Sequence, residues 1–226
     1  IAAGDRRPQR VILWLAHDDL AAGLPRTLRC LRRRGLEIRG CADLGAHKKY
    51  YPYAVASPDA EVPLVTGDDD VLYPRTWLSE LLARHERHPR CTVGYRGERM
   101  EFAADGSVAP YRTWRLTHDD RPDARLVLNG VGGVLSPPAV LAEVRRCGTT
   151  FLTEAPRGDD LWLHRATIRA GLLPCQLRPD PVHHPAVPGS QKTALMTENV
   201  GTGNDVQVRS TYRPHDLDLI RAGGAA

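Results

Sequence analysis

The chain reads as an α/β protein built on a mainly parallel central sheet flanked by helices, and three observations predict it. Short apolar runs alternate with amphipathic helical stretches through the first half. Glycine and proline punctuate the joints between them. A hydrophobic share of 42% with 26% charged residues is the balance of an ordinary globular chain, and 226 residues suffice for one α/β domain with its own core.

Val11-Ile12-Leu13-Trp14-Leu15 is a continuous apolar run suited to a buried strand. Leu24, Leu28 and Leu31 then recur at helical spacing with Arg26, Arg29, Arg32 and Arg33 between them, and Gly35 supplies the stop. Leu36 to Cys41 reads as a second strand, and Val62 to Thr66 as a third that runs directly into Asp68-Asp69-Asp70. Pro74 stands where a helix begins, Trp77, Leu78, Leu81 and Leu82 give that helix an apolar stripe, and His88-Pro89 ends it. Cys91 to Tyr95 reads as a fourth strand. The aspartate run is therefore expected at the carboxyl end of a central strand, where open α/β sheets place ligands.

From Glu98 to Leu126 the pattern weakens, with Gly106, Pro110 and Pro122 marking loops around Trp114. Order returns at Gly130 to Leu135, followed by Ser136-Pro137-Pro138 and a short helix to about Arg146. A helix starting at Gly158-Asp159-Asp160 carries Leu161, Trp162, Leu163 and Ile168. A strand near Leu173 to Leu177, a proline- and glycine-rich tail and a last helix around Asp216 to Arg221 complete the reading, with no internal repeat.

A net charge of +4 is too mild for a nucleic-acid-binding signature. Only Lys48, Lys49 and Lys192 are lysines among 31 basic residues, so the adjacent pair Lys48-Lys49 is unusual. The five cysteines are scattered, with no CxxC pair to suggest zinc or redox chemistry, which suits reduced thiols in a cytoplasmic protein. No apolar stretch approaches the roughly 18 residues that cross a bilayer, and no apolar signal segment opens the chain.

Three consecutive carboxylates raise one another's pKa unless a cation sits among them. A divalent ion with hard oxygen ligands, Mg²⁺ or Mn²⁺, resolves that conflict, and such ions complete their shells with water and substrate phosphates. A solvated loop whose aspartates cap the following turn is the alternative. Asp159-Asp160 at a helix start suits capping and the helix dipole. Gly130 to Gly133 lacks the GxxxxGK[ST] spacing of a phosphate loop. It suits either close backbone approach to a ligand or a plain turn into a strand. Tyr111 and Trp114 could stack on a sugar ring or belong to the core.

The segment Pro63-Leu64-Val65-Thr66-Gly67-Asp68-Asp69-Asp70-Val71-Leu72-Tyr73-Pro74, with Trp77-Leu78 and Leu81-Leu82 after it, resembles the metal-binding segment of bacterial glycosyltransferases of the GT-A fold, family 2-like enzymes of capsule and lipopolysaccharide assembly. Asp43-Leu44-Gly45 with Lys49, Gly130-Val131-Gly132-Gly133-Val134-Leu135-Ser136-Pro137-Pro138 and Asp159-Asp160-Leu161-Trp162-Leu163 match in the same order, across roughly residues 10 to 207. The resemblance implies a single GT-A-like domain with a Rossmann-like nucleotide-sugar-binding half over 1–97 and an acceptor half and tail over 98–226. It implies that Asp68 and Asp69 face the donor nucleotide and that Asp70 ligates the metal on the diphosphate. Lys49 would add charge near the phosphates, and Gly132 and Gly133 would approach the donor sugar. It also implies that one of Asp159 and Asp160, here Asp160, is the general base, and it places a third metal ligand near His183-His184, taken as His184.

The expected activity is transfer of a sugar from a nucleotide diphosphate donor, UDP-linked in the first instance, to a hydroxyl of a glycan, lipid-linked or small acceptor, with inversion. Neither a nucleic acid nor a transmembrane segment is part of the expectation, and the expected place is the cytoplasm or the inner face of the membrane. A sugar nucleotidyltransferase would carry a glycine-rich basic loop after the first strand, where Ala16-His17-Asp18-Asp19 stands instead. An aspartate-nucleophile phosphohydrolase would place its DxD after the first strand. A carbohydrate- or nucleotide-binding module without catalysis is the remaining alternative.

Overall fold

The computed structural model describes residues 1–190 and 203–223. Strand β1 (Val11–Ala16) pairs in parallel with β2 (Leu36–Cys41) along its whole length, from Val11 opposite Leu36 to Ala16 opposite Cys41. Between them lie α1 (His17–Ala21), which the apolar spacing did not announce, and the expected arginine-rich helix α2 (Arg26–Arg33). Gly35 ends that segment with φ near +100°, a conformation that costs a residue with a Cβ far more than glycine.

The remaining strands are β3 (Leu64–Thr66), β4 (Cys91–Gly94), β5 (Gly97–Arg99), β6 (Arg115–Leu116), β7 (Leu126–Leu128), β8 (Val134–Ser136) and β9 (Leu173–Gln176). A four-stranded sheet runs β3-β8-β4-β9, with β8 antiparallel to both β3 and β4 and β9 parallel to β4. The central sheet is thus mixed and not mainly parallel. In addition, β3 is its end strand and not a central one. Side-chain alternation has the same period of two in either direction, so apolar runs reveal strands without revealing polarity.

The pleat of β4 sorts the helices. Cys91, Val93 and Tyr95 pack into one core with Trp77, Leu78 and Leu81 of α4 (Trp77–Arg87) and with Leu135 and Cys175. Thr92 points the other way, its hydroxyl 3.0 Å from that of Thr167 on α7 (Asp159–Arg169), so α4 and α7 cover opposite faces. On the α7 side a second core joins α3 (Tyr51–Ala56), α5 (Pro138–Cys147) and α6 (Phe151–Glu154) through Tyr53, Val140, Leu141, Val144, Phe151 and Trp162.

Residues 98–126, expected as loops, include the rim of a small antiparallel sheet ordered β6-β5-β7. Its strands of two or three residues are too short for any periodicity to register. Trp114 is buried there, its indole N–H donating to the Ala109 carbonyl at 3.1 Å, which gives it a core role. Helices α8 (Gly203–Thr211) and α9 (Pro214–Gly223) pack this sheet against α7, and α9 extends the expected last helix at both ends. Arg169 of α7 grips the buried Asp216 of α9 with two bonds of 2.6 and 2.8 Å, and Arg165 reaches Glu154 at 2.7 Å. Removing one partner of such a buried pair typically costs about 3–5 kcal/mol.

Candidate functional site

Four separate stretches of chain meet at the ammonium of Lys49. The lysine ends a 3₁₀ turn, Gly45–Lys49, fixed from within by the buried His47. That ring stacks on Phe151 with centroids 4.2 Å apart, its Nε2 lies 2.7 Å from the Ala155 carbonyl oxygen, and its Nδ1 meets the Tyr50 hydroxyl. The two adjacent lysines therefore part company. Both are half-buried, but Lys48 pairs with the exposed Asp43 at 2.6 Å, whereas Lys49 pairs with the more enclosed Asp68 at 2.6 Å and Asp159 at 3.3 Å.

Asp68 follows β3 and opens the aspartate run, and Tyr73 holds the run in place. The Tyr73 hydroxyl accepts the Asp68 N–H at 2.8 Å and donates to the Val131 carbonyl at 3.1 Å, while its ring stacks on Trp77 at 4.4 Å. Asp69 is exposed and Asp70 half-buried. The backbone of Asp70 accepts the Val187 N–H at 2.7 Å, and Leu72 donates to Pro185 at 2.8 Å, so residues 185–187 run alongside 70–72 at the end of the aspartate run.

Asp159 and Asp160 are the first two residues of α7, with Gly158 in the N-cap position and no side-chain capping bond there. The Asp159 carboxylate turns to Lys49 at 3.3 Å. Asp160 Oδ1 accepts the Gly130 N–H at 2.9 Å, from a second 3₁₀ turn, Gly130–Gly132. A Cβ on Gly130 would lie 2.9 Å from that same oxygen, so any side chain there would push the carboxylate aside.

Behind Asp160 a cavity of about 10 Å³, lined by Leu128, Val134, Leu163 and His164 among others, has at most the room of one water. This burial, and then the charge of Asp159, push the Asp160 carboxyl up to about 8. For Lys49 burial acts to lower the pKa, but Asp159, Asp68 and Asp160 together outweigh it and hold the ammonium above its ordinary value. The cluster thus sets one ammonium between Asp68 and Asp159, with the Asp160 carboxyl beside them held well above the usual carboxylate range. Burial, then Glu98 and Asp160, also hold the Tyr111 phenol far above its usual range, which marks Tyr111 as a neighbour of this site.

The glycines expected beside the donor have partners within the protein. Gly133 has φ near +98°, and a Cβ there would lie 2.6 Å from Trp77 Cζ2 and closer still to Nε1. A Cβ on Gly132 would come to 3.0 Å from Tyr95 Cβ, and the Gly132 carbonyl accepts the Trp77 indole N–H at 2.9 Å. The antiparallel bridge of Val71 to Ala186 puts His184 opposite Tyr73, beyond the aspartates, and its ring stands edge-on between Tyr73 at 5.4 Å and Tyr95 at 4.8 Å. Burial lowers its pKa, Glu80, Arg178 and His183 are the charges that bear on it, and its buried Nε2 has no hydrogen-bond partner. His183 is exposed, its Nδ1 2.7 Å from Arg96.

Lys49, Asp68, Asp159 and Asp160 are thus brought together, and Asp70 with Asp69 adjoins them along the chain. Among the described residues no group of three or more His, Cys, Asp or Glu side chains is arranged as a metal cage. Tyr73 and Trp77, which staple the aspartates to the glycine turn, escaped the sequence reading as site residues, although both stand within nine residues of Asp68. Among the described residues no helix is long and apolar enough to cross a membrane. The chain matches no protein-family profile and no curated protein.

Proposed function

We propose that the chain is a metal-dependent GT-A-like glycosyltransferase that moves a sugar from a nucleotide diphosphate donor, a UDP-sugar in the first instance, to a hydroxyl acceptor with inversion. The observation that carries this reading is the meeting of Lys49, Asp68, Asp159 and Asp160 from distant parts of the sequence around one ammonium. Burying like-charged carboxylates side by side works against folding, so their presence calls for a task beyond structure. The five free cysteines agree with a reducing, cytoplasmic setting.

The donor set of the aspartate run is all hard oxygen, which fits Mg²⁺ or Mn²⁺ held by one or two carboxylates and completed by phosphates. Asp70 is the ligand, with Asp68 and Asp69 toward the nucleotide, and a bound ion would offset charge on the departing diphosphate. The packing of His184 between two tyrosines favours a structural place for that ring over ligation. Lys49 holds Asp68 and Asp159 at a fixed spacing. Asp160 is half-buried and anchored by the Gly130 N–H; from its ionised form, which a pKa near 8 makes a stronger base than a free carboxylate, it takes the proton of the acceptor hydroxyl as that oxygen forms its new bond.

Thermal-shift measurements with Mn²⁺ and a panel of nucleotide sugars test the donor site. Saturating donor at a hundred times its Kd stabilises by about 2.7 kcal/mol, and Asp70→Ala is expected to remove that gain. If no nucleotide diphosphate stabilises the protein in the presence of metal, the reading fails. Asp160→Ala is expected to keep donor binding and lose transfer, and transfer at the parental rate would dismiss Asp160 as the base.

A further inference from the structure

Glu98 lies in the middle of β5, opposite Leu116 of β6 and Val127 of β7. Directly opposed residues project from the same face of a sheet, so the Glu98 side chain leaves β5 on the side of Val127. Val127 packs there with Met100, with Trp114 and with Leu161, the α7 residue that follows Asp160, and Tyr111 closes on the same core. Glu98 therefore approaches the head of α7 from the small sheet, while the Gly130 N–H holds Asp160 at that head.

The Glu98 residue is half-buried, but its Oε2 is shut away from solvent and makes no hydrogen bond among the described residues. Arg96, two residues earlier, is engaged elsewhere, its Nε donating to Asn129 Oδ1 at 3.2 Å and its Nη1 2.7 Å from His183 Nδ1. A buried acceptor left unmatched works against folding, and a charged one more so. Burial, and then the charges of Glu98 and Asp160, hold the Tyr111 phenol far above its usual range, so both carboxylates bear on this one hydroxyl. Of the two aromatics in the stretch Trp114 is buried and Tyr111 only half-buried, which leaves part of the phenol accessible.

We propose that Glu98, with Tyr111, forms the acceptor subsite and that the acceptor is a saccharide, one of whose hydroxyls donates to Glu98 Oε2 while a different hydroxyl faces Asp160. A hydroxyl supplies the missing donor without adding charge to a site where Lys49 already offsets Asp68 and Asp159. An alcohol with one hydroxyl serves Asp160 or Glu98 but not both. A sugar ring carries several donors on one frame, and a few placed polar groups are what fix the orientation of such a ligand. The assignment rests on the transferase reading for the hydroxyl that reacts, whereas binding of the saccharide itself needs no donor.

The test is saturation-transfer NMR of the full chain, without nucleotide or metal, against the methyl glycosides of glucose, galactose, mannose and N-acetylglucosamine, followed by titration of those that respond. The parent is expected to bind at least one of them. Glu98→Gln is expected to weaken that binding about tenfold or more. The same variant is expected to raise the Tm of the free protein by about 2–4 °C, because a neutral amide costs less to bury than an unmatched carboxylate. A purely structural Glu98 would move Tm the other way and leave the glycoside alone. Glu98→Asp, which keeps the charge and withdraws the oxygen by one methylene, is expected to lose affinity as well. Silence from every glycoside, affinity unchanged in both variants, or a lowered Tm in Glu98→Gln overturns the proposal. Glycoside binding lost in Glu98→Gln, with no stabilisation by any nucleotide diphosphate, would break the transferase reading and uphold the saccharide site; the reverse pattern breaks the saccharide site alone.

Discussion

Helices α2 and α7 have similar lengths and opposite fates. α2 buries none of its eight residues, whereas α7 buries eight of its eleven, including Trp162, His164 and Arg165. The strands beside α2 are half-buried over most of their length, while those beneath α7 are buried on both faces. The difference follows what each helix carries. The carboxylates that must hold position to a fraction of an ångström start a helix locked into the core. The amino-terminal layer is lightly packed, and its helix carries no residue of the site.

Four experiments would break or sharpen this contrast. The largest effect is expected at the head of α7, where Asp160→Ala lowers transfer by about 10²- to 10⁴-fold in steady-state assays without loss of fold. A change of less than tenfold would place the chemistry elsewhere. Next, Trp162→Ala within α7 is expected to cost about 3–5 kcal/mol in denaturant titration, whereas Leu31→Ala in α2 stays within about 0.5 kcal/mol. Comparable losses at the two positions would mean that α2 is better anchored than its exposure indicates.

Gly133→Ala, which forces a Cβ into the Trp77 indole at a left-handed backbone position, is expected to cost about 1–3 kcal/mol by the same titration. A neutral result would show that the turn has room to shift.

The subtlest effect is a pH dependence. The folded pKa of Asp160 lies near 8, above that of the unfolded chain, so the native state keeps a proton the unfolded state has lost. Stability from this group accordingly falls as pH rises from about 4 to about 8, and the penalty is complete above that. Asp160→Asn removes the titration, so its Tm advantage over the parent should widen between pH 5 and pH 9. A constant difference across that range would mean that Asp160 is not desolvated as the packing requires.

Much of this was legible in the residues themselves. Leu36–Cys41 is a strand to the residue, and the helices at Pro74 and Gly158 form where their apolar stripes lie, because those segments are long enough for periodicity to speak. The reversed direction of β8 was not legible, since a three-residue apolar strand looks the same either way. Nor were α3 and α6, whose spans of six and four residues hold too few turns to show a stripe, or α8, where Val206 and Val208 are its only large apolar residues and stand two apart. For the site, ordered motif matches located Lys49, Asp68, Asp159 and Asp160, but their spacing could not say that one ammonium ties them. The different surroundings of Asp159, which reaches Lys49, and of Asp160, which accepts the Gly130 N–H against an apolar wall, emerged only in the fold. The Tyr73 hydroxyl bonds were likewise hidden, because an aromatic in an apolar stretch reads first as core.

The scarcity of lysine makes the pairing of Lys49 measurable by covalent labelling. Acylating reagents attack the free amine, and Lys49, clasped by two carboxylates and raised above its ordinary pKa, offers less of it, while Lys48 sits beside a mostly exposed Asp43. With Lys192 as the third lysine in the sequence, a peptide map after brief acetylation has very few signals to resolve. The modification ratio at two adjacent residues then becomes an internal gauge of whether the carboxylate cluster is assembled.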